Sequence, residues 1–119
     1  MEFERMKSAV CASVDAHAGE YTAASDAIWD HPEVNFHEDT AAAHLRGLLE
    51  ENGFSVTDGL DGMPNCFRAE YGEGRPVIAF LCEYDALSAM SQRAGCAVRE
   101  PLTPGAPGHG CGHNLLGVG

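Results

Sequence analysis

Apolar residues recur with a helical spacing at the start of the chain. Between Glu4 and about Asp30 they lie four and seven residues apart with alanines between them, a pattern that predicts one amphipathic helix. The helix is expected to end at His31, because Pro32 disfavours the α conformation in the residue before it. The apolar positions of this predicted helix are Met6, Val10, Val14, Tyr21 and Ile28.

A second helix is predicted from Glu38 or Asp39 to Asn52. Gly53 is expected to end it as the first residue past the helix, where glycine is favoured. The apolar face of this helix is formed by Ala42, Leu45, Leu48 and Leu49.

Three strands are predicted next. Residues 54–57 and 66–71 alternate between apolar and polar side chains, so we expect two strands, the second with one exposed face. Residues 76–82 are apolar without alternation, which is typical of a strand covered on both faces. Glu83 and Asp85 follow this strand directly, and ligands in open α/β sheets bind beyond the carboxyl ends of the strands.

The remainder of the chain predicts a long loop and the beginning of a helix. Residues 88–110 are rich in glycine, proline, serine and alanine and show no period, and loops of that length are usually functional or mobile. An apolar pattern resumes over residues 114–118 and predicts a helix there. Together the elements predict an α/β fold, and 119 residues without a linker or a repeat indicate one domain or part of one.

Charge and composition exclude several partners. Seven basic residues against eighteen acidic ones give a formal net charge of −11, which repels phosphate backbones and anionic membrane surfaces. No apolar run approaches the roughly 20 residues that span a bilayer, and the N-terminus lacks the apolar stretch of a signal peptide. We therefore expect no nucleic-acid or membrane partner and a cytoplasmic location. The five cysteines lack paired spacing, which argues against a disulfide framework.

Residues 108–114 place one thiol and two imidazoles at alternate positions separated by glycines. Cys111 and His113 form a compact pair that can bind Zn²⁺, Mn²⁺ or Co²⁺ once the thiol is ionised. His109 is either a third ligand or a hydrogen-bonding partner of the substrate or of another ligand. Two alternatives stay open: a glycine-rich turn with surface histidines, and a nucleophilic cysteine activated by a neighbouring imidazole.

Glu83 and Asp85 form a second candidate pair. Carboxylates at the end of a strand can bridge metals, orient a ligand histidine or position a water molecule, although a solvated acidic turn is the commoner case. The histidines His31, His37 and His44 are interpreted as structural or solvated residues, and Trp29 as a core or interface residue.

Three motifs occur in a fixed order: residues 29–33 (WDHPE), 83–87 (EYDAL) and 108–114 (GHGCGHN). Together they resemble the amidohydrolase branch of the M20 metallopeptidases, and the likeness extends from about residue 20 to the end of the chain. Members of this branch have a zinc-peptidase-like α/β/α catalytic domain of three layers, into which a smaller α+β lid or dimerisation domain is inserted. The resemblance implies that residues 1–119 are the N-terminal portion of such a catalytic domain, without the lid.

The resemblance also implies roles for single residues. Cys111 and His113 occupy the Cys-Gly-His of the family's loop and are expected to bind the metal. Asp85 occupies the position of a catalytic acid that orients the metal-binding groups. Glu83 stands where other branches carry a histidine ligand, and Glu83 and His109 are the further candidates for the site.

The implied activity is hydrolysis of the amide bond of an N-acyl amino acid or a dipeptide, such as p-aminobenzoyl-glutamate, with a divalent metal, Mn or Zn, as cofactor. The general base and the remaining ligands are expected beyond residue 119, so residues 1–119 alone are expected to be inactive. The full-length protein is expected to form homo- or hetero-oligomers. The alternative is a non-catalytic metal-binding or interaction module.

Overall fold

The computed structural model describes all 119 residues as a mixture of helices and one small sheet. The sheet has two strands, β1 and β2, and a short 3₁₀ turn lies between them. No helix combines the length and the apolar character that a membrane crossing requires. The elements in chain order are α1 (Glu2–Ala16), α2 (Ala18–Asp30), α3 (Asp39–Glu51), β1 (Ser55–Asp58), β2 (Phe67–Glu70) and α4 (His113–Leu116).

The predicted single helix of residues 4–30 is wrong in its continuity, because the structure divides it into α1 and α2 at His17. The backbone of His17 leaves helical geometry at φ −105° and ψ 8°, and its imidazole Nδ1 lies 2.7 Å from the Ser13 carbonyl oxygen. Gly19 follows closely, and both residue types have low helix propensity. Of the predicted apolar positions only Ile28 is buried, since no element packs over the apolar side of α1.

The prediction of α3 is confirmed. It runs from Asp39 to Glu51, and Gly53 follows it in the left-handed conformation at φ +84°. The Glu33 carboxylate caps the start of the helix by accepting hydrogen bonds of 3.0 Å from the backbone N–H groups of Thr40 and Ala41. The helix buries Ala41, Ala42 and Leu45.

The two strands predicted over residues 54–57 and 66–71 are present as β1 and β2, and they pair in an antiparallel hairpin. Their register pairs Ser55 with Glu70 and Asp58 with Phe67. Alternate residues of β2 are partly buried and exposed, which confirms its half-exposed face. An ion pair of 3.0 Å between Arg46 and Asp58 joins α3 to the end of β1.

The strand predicted over residues 76–82 is not formed, and its side chains are exposed; Leu81, for example, is 93% exposed. A strand covered on both faces needs neighbouring strands to accept its hydrogen bonds and helices to cover it. Residues 1–119 place neither beside this segment, and the only sheet is β1–β2. The structure therefore shows helices with a small sheet, compatible with part of an α/β fold, and does not show three layers.

The hydrophobic core is small and lies between α2 and α3. Ile28, Ala41 and Leu45 form its buried centre, and Phe67, Tyr84 and Val118 pack around them. Ten of the 119 residues are buried, and the radius of gyration is 16.5 Å. A compact chain of this length has a radius of gyration of about 13.5 Å. The candidate site consequently depends on a limited number of packing contacts and on backbone hydrogen bonds.

Replacing Glu33 with alanine is expected to lower the free energy of unfolding by about 1–2 kcal/mol, because two amide groups at the start of α3 lose their acceptor. The control Glu33→Gln keeps an acceptor oxygen and should cost roughly half as much. Chemical denaturation of the purified full-length protein and of its two variants measures both losses. An alanine variant as stable as the unmodified protein would show that the carboxylate contributes nothing to α3.

Candidate metal site

Backbone hydrogen bonds bring the three sequence motifs together. The N–H of Ala86 donates to the carbonyl oxygen of Glu33 at 2.6 Å, next to a parallel bridge between Val34 and Ala86. Leu87 and Gly108 exchange two hydrogen bonds of 3.0 Å, each donating to the other's carbonyl. The segment with the two acids therefore lies between the end of α2 and the glycine-rich loop.

Met90 approaches two glycines of the loop closely, with its backbone at Gly108 and with the end of its side chain at Gly110. A Cβ atom on Gly108 would lie 2.2 Å from the carbonyl oxygen of Met90, and one on Gly110 would lie 2.5 Å from the Met90 Cε. Gly112 turns the chain into α4 at φ +81°. The contact at Gly108 and the positive φ of Gly112 explain these two glycines without reference to a bound ion.

Glu83, Asp85 and His113 form the candidate metal site. The His113 ring lies between the two acids, with Nδ1 2.7 Å from Asp85 Oδ1 and Nε2 3.2 Å from Glu83 Oε2. One donor atom from each residue falls within 4.8 Å of the others. The side chains of His113 and Asp85 are 15% and 26% exposed, while that of Glu83 is 66% exposed. The site thus has a shielded pair and one carboxylate on the solvent side.

Tyr84 positions the two acids from the opposite side of the segment. Its ring packs against the core, and its hydroxyl donates a hydrogen bond to the carbonyl oxygen of Asn65. Burial, assisted by the negative charge of Glu38, raises the pKa of Tyr84 to about 12, so the phenol stays protonated at neutral pH. Because side chains alternate along the extended segment, anchoring Tyr84 in the core leaves Glu83 and Asp85 on the side of His113.

The start of α4 is anchored next to His113. Asn114 Nδ2 donates a hydrogen bond of 2.9 Å to Ser25 Oγ, and both side chains are buried. The helix is only four residues long, so this contact with α2 fixes its position more than its own hydrogen bonds do.

The donor set fits a divalent cation. An imidazole nitrogen and carboxylate oxygens are ordinary ligands of Zn²⁺ and Mn²⁺. If His113 Nδ1–H donates to Asp85, then Nε2 carries a lone pair that faces the Glu83 carboxylate. Two acceptors at 3.2 Å repel each other unless a proton or a metal ion lies between them. Metal-binding histidines commonly donate their second ring N–H to a carboxylate in this way.

The glycine-rich loop does not bring its three predicted donors to one point. His113 joins the acids, while the Cys111 thiol is exposed and lies outside the cluster. His109 turns into the interior, where it is only 6% exposed and its Nε2 lies 3.1 Å from the Ile28 carbonyl oxygen. Burial lowers the pKa of His109, so the neutral ring donates its Nε2–H to Ile28. Its Nδ1 is buried without a partner.

Sequence reasoning missed the cavity beside this loop. Trp29 packs its ring against that of His109, with centroids 6.3 Å apart and planes 29° from parallel. The two rings and residues 89–92 line a cavity of about 270 Å³ that is open to solvent. Arg99 also lines the cavity and was not singled out, because no spacing pattern in the sequence connects it with the motifs. The principal lining residues of the cavity are Trp29, Met90, Ser91, Gln92, Arg99 and His109.

Comparison with known proteins identifies relatives of high similarity. The chain is 53% identical over 106 residues to a p-aminobenzoyl-glutamate hydrolase subunit of Escherichia coli (strain K12), a match that covers 89% of this chain. It is 32% identical over 125 and 129 residues to the Xaa-Arg dipeptidases of Mus musculus and Homo sapiens, covering 97% and 98% of this chain. The chain is therefore similar to these hydrolases over most of its own length. The resemblance to the M20 family found from the three motifs is thereby confirmed.

The match covers only part of the hydrolase relatives. The chain spans 22% of the length of the Escherichia coli protein and 25% of the length of each dipeptidase. No family model matches the chain, and no solved structure matches it.

Substitution of Gly108 by alanine tests the backbone contact that joins the loop to the acidic segment. The new Cβ would collide with the rigid carbonyl group of Met90, so we expect a loss of about 1–3 kcal/mol in the free energy of unfolding. In the matched control Gly110→Ala, the obstacle is the flexible end of the Met90 side chain, and a loss below about 1 kcal/mol is expected. Thermal or chemical denaturation of the two variants measures the difference. Equal losses would mean that the Met90 carbonyl does not fix the contact between the glycine-rich loop and the acidic segment.

Proposed function

We propose that residues 1–119 form the N-terminal portion of the catalytic domain of a metal-dependent amidohydrolase of the M20 type. The observation that carries the proposal is the His113 imidazole lying between the carboxylates of Asp85 and Glu83. The names of the relatives support hydrolysis of an amide bond. The small core and the exposed apolar segment 76–82 are consistent with a domain whose other strands lie outside these residues.

Each residue of the site has a proposed role. His113 binds the divalent ion, Mn or Zn, through Nε2, and Asp85 orients the ring by accepting the hydrogen bond from Nδ1. Glu83 is the neighbouring carboxylate ligand candidate. Cys111, two residues before His113, is the second ligand that the family resemblance implies. The bound ion would polarise the scissile carbonyl and lower the pKa of its bound water.

The proposed substrate is an N-acyl amino acid or a dipeptide. The Escherichia coli relative is named for p-aminobenzoyl-glutamate and the mammalian relatives for Xaa-Arg dipeptides, and both compounds are amides of an amino acid. We propose p-aminobenzoyl-glutamate or a similar acyl-amino acid for the protein that contains this chain. The Escherichia coli relative is named as one subunit of its hydrolase, which supports a homo- or hetero-oligomeric assembly.

Replacing His113 with alanine tests the metal site. We expect the purified full-length protein to lose its bound Mn or Zn, and hydrolysis of p-aminobenzoyl-glutamate to fall at least about a hundredfold, because the ion loses its imidazole ligand. The control is His37→Ala, which removes an exposed histidine away from the cluster. Elemental analysis and a hydrolysis assay provide the two readouts. Metal and rate equal to those of the control would refute the proposal, whereas bound metal without hydrolysis in the unmodified protein would favour a non-catalytic module.

Asp85→Asn tests the orienting role separately. The amide keeps the shape of the side chain but removes the negative charge that fixes the His113 tautomer, so metal affinity is expected to fall roughly 10- to 100-fold. Titration of the metal-free protein with Zn²⁺ or Mn²⁺ measures the affinity. An affinity within twofold of that of the unmodified protein would show that Asp85 does not orient His113. It would not contradict metal binding by His113.

A further inference from the structure

A cavity opens beside the candidate metal site. Trp29, at the end of α2, forms one wall, and Met90 on the loop forms another. His109 lines the cavity and precedes His113 by four residues in the same loop. At about 270 Å³ the cavity lies just below the usual range for complete small-molecule sites, so its size suits one amino-acid side chain.

His109 lines the cavity and lies in the same loop as His113. Burial lowers its pKa, so the ring is neutral at neutral pH. Its Nδ1 is buried without a partner, and the residue is 6% exposed. The cavity is therefore lined by one buried imidazole whose Nδ1 has no hydrogen-bond partner.

Arg99 is the only arginine or lysine that lines the cavity, and no carboxylate pairs with it. Arg93, in the same loop, is paired with Glu100 at 2.8 Å. An unpaired guanidinium beside an apolar wall is suited to a carboxylate ligand, which it can bind through two parallel hydrogen bonds.

The backbone around Arg99 is fixed by Gln92. The Gln92 side-chain amide donates a hydrogen bond of 2.8 Å to the Val98 carbonyl oxygen and accepts one of 2.9 Å from the Glu100 N–H. The residues on both sides of Arg99 are thus attached to a residue that itself lines the cavity. Such attachment reduces the conformational entropy lost when the guanidinium binds a ligand.

We propose that Arg99 binds the side-chain carboxylate of the substrate's amino acid, while Trp29 and Met90 contact the adjacent methylene groups. Arg99 is then a specificity-determining residue that selects amides of acidic amino acids over those of neutral or basic ones. The inference rests on the proposed amidohydrolase function, because it assigns the cavity to the substrate of that site. A positively charged side chain would be rejected by repulsion from the guanidinium.

The test compares N-acyl-glutamate with N-acyl-glutamine, which has nearly the same shape without the charge. In the full-length metal-loaded protein, Arg99→Gln is expected to lower kcat/KM for the glutamate compound roughly 10- to 100-fold, which corresponds to the loss of one charge-assisted hydrogen-bonded pair. The kcat/KM for the glutamine compound is expected to change less than about twofold. Arg99→Lys should restore part of the preference. The matched control is Arg75→Gln, which removes another unpaired, exposed arginine outside the cavity and should leave both rates unchanged.

A binding measurement separates this proposal from the proposed function. Calorimetric titration of both compounds into chelator-treated protein needs neither metal nor hydrolysis, and the same loss of glutamate preference is expected in Arg99→Gln. If hydrolysis is absent but the binding preference depends on Arg99, the cavity assignment stands and the amidohydrolase function fails. If hydrolysis occurs with the same glutamate-to-glutamine ratio in Arg99→Gln and the unmodified protein, the cavity assignment is overturned and the function stands.

Discussion

The reciprocal pair of hydrogen bonds between Leu87 and Gly108 is the constraint on which the site depends. It joins two segments far apart in the sequence and fixes the acids that precede Leu87 next to the histidine that follows Gly108. The pairing is possible only because Gly108 lacks a side chain, since the Met90 carbonyl occupies the space a Cβ would need. With few buried side chains in the chain, such backbone contacts carry much of the geometry.

The same pairing of Leu87 with Gly108 leaves the two histidines of the loop in opposite environments. His109 enters the interior and remains neutral, with its Nε2–H on a carbonyl of α2. His113 stays near the surface, and its ring lies between two carboxylates. One histidine therefore forms a wall and the other a candidate ligand, although the sequence presents them in similar glycine-flanked positions.

The sequence predicted those helices and strands whose formation depends on residues close together in the chain. Helix α3 with Gly53 and the alternation of β2 follow from side-chain period and glycine conformation, and the structure confirms them. The strand at residues 76–82 depends on partners that residues 1–119 do not place beside it, so periodicity alone could not decide its state. The proximity of Asp85 to His113 depends on a crossing between distant segments. The motif order and the family resemblance suggested it, whereas the cavity role of Arg99 has no signal in the spacing of residues.

The central claim is that His113 binds a divalent ion beside the acids of residues 83–85. X-ray absorption spectroscopy of the zinc-loaded full-length protein tests it most directly, because it reports the type and distance of each ligand. We expect an imidazole nitrogen at about 2.0–2.1 Å from the zinc ion, together with carboxylate oxygen. A sulfur contribution at about 2.3 Å is expected if the Cys111 thiol also binds. Loss of the nitrogen contribution in the His113→Ala protein would complete the assignment. A spectrum that is identical in the two proteins would contradict it.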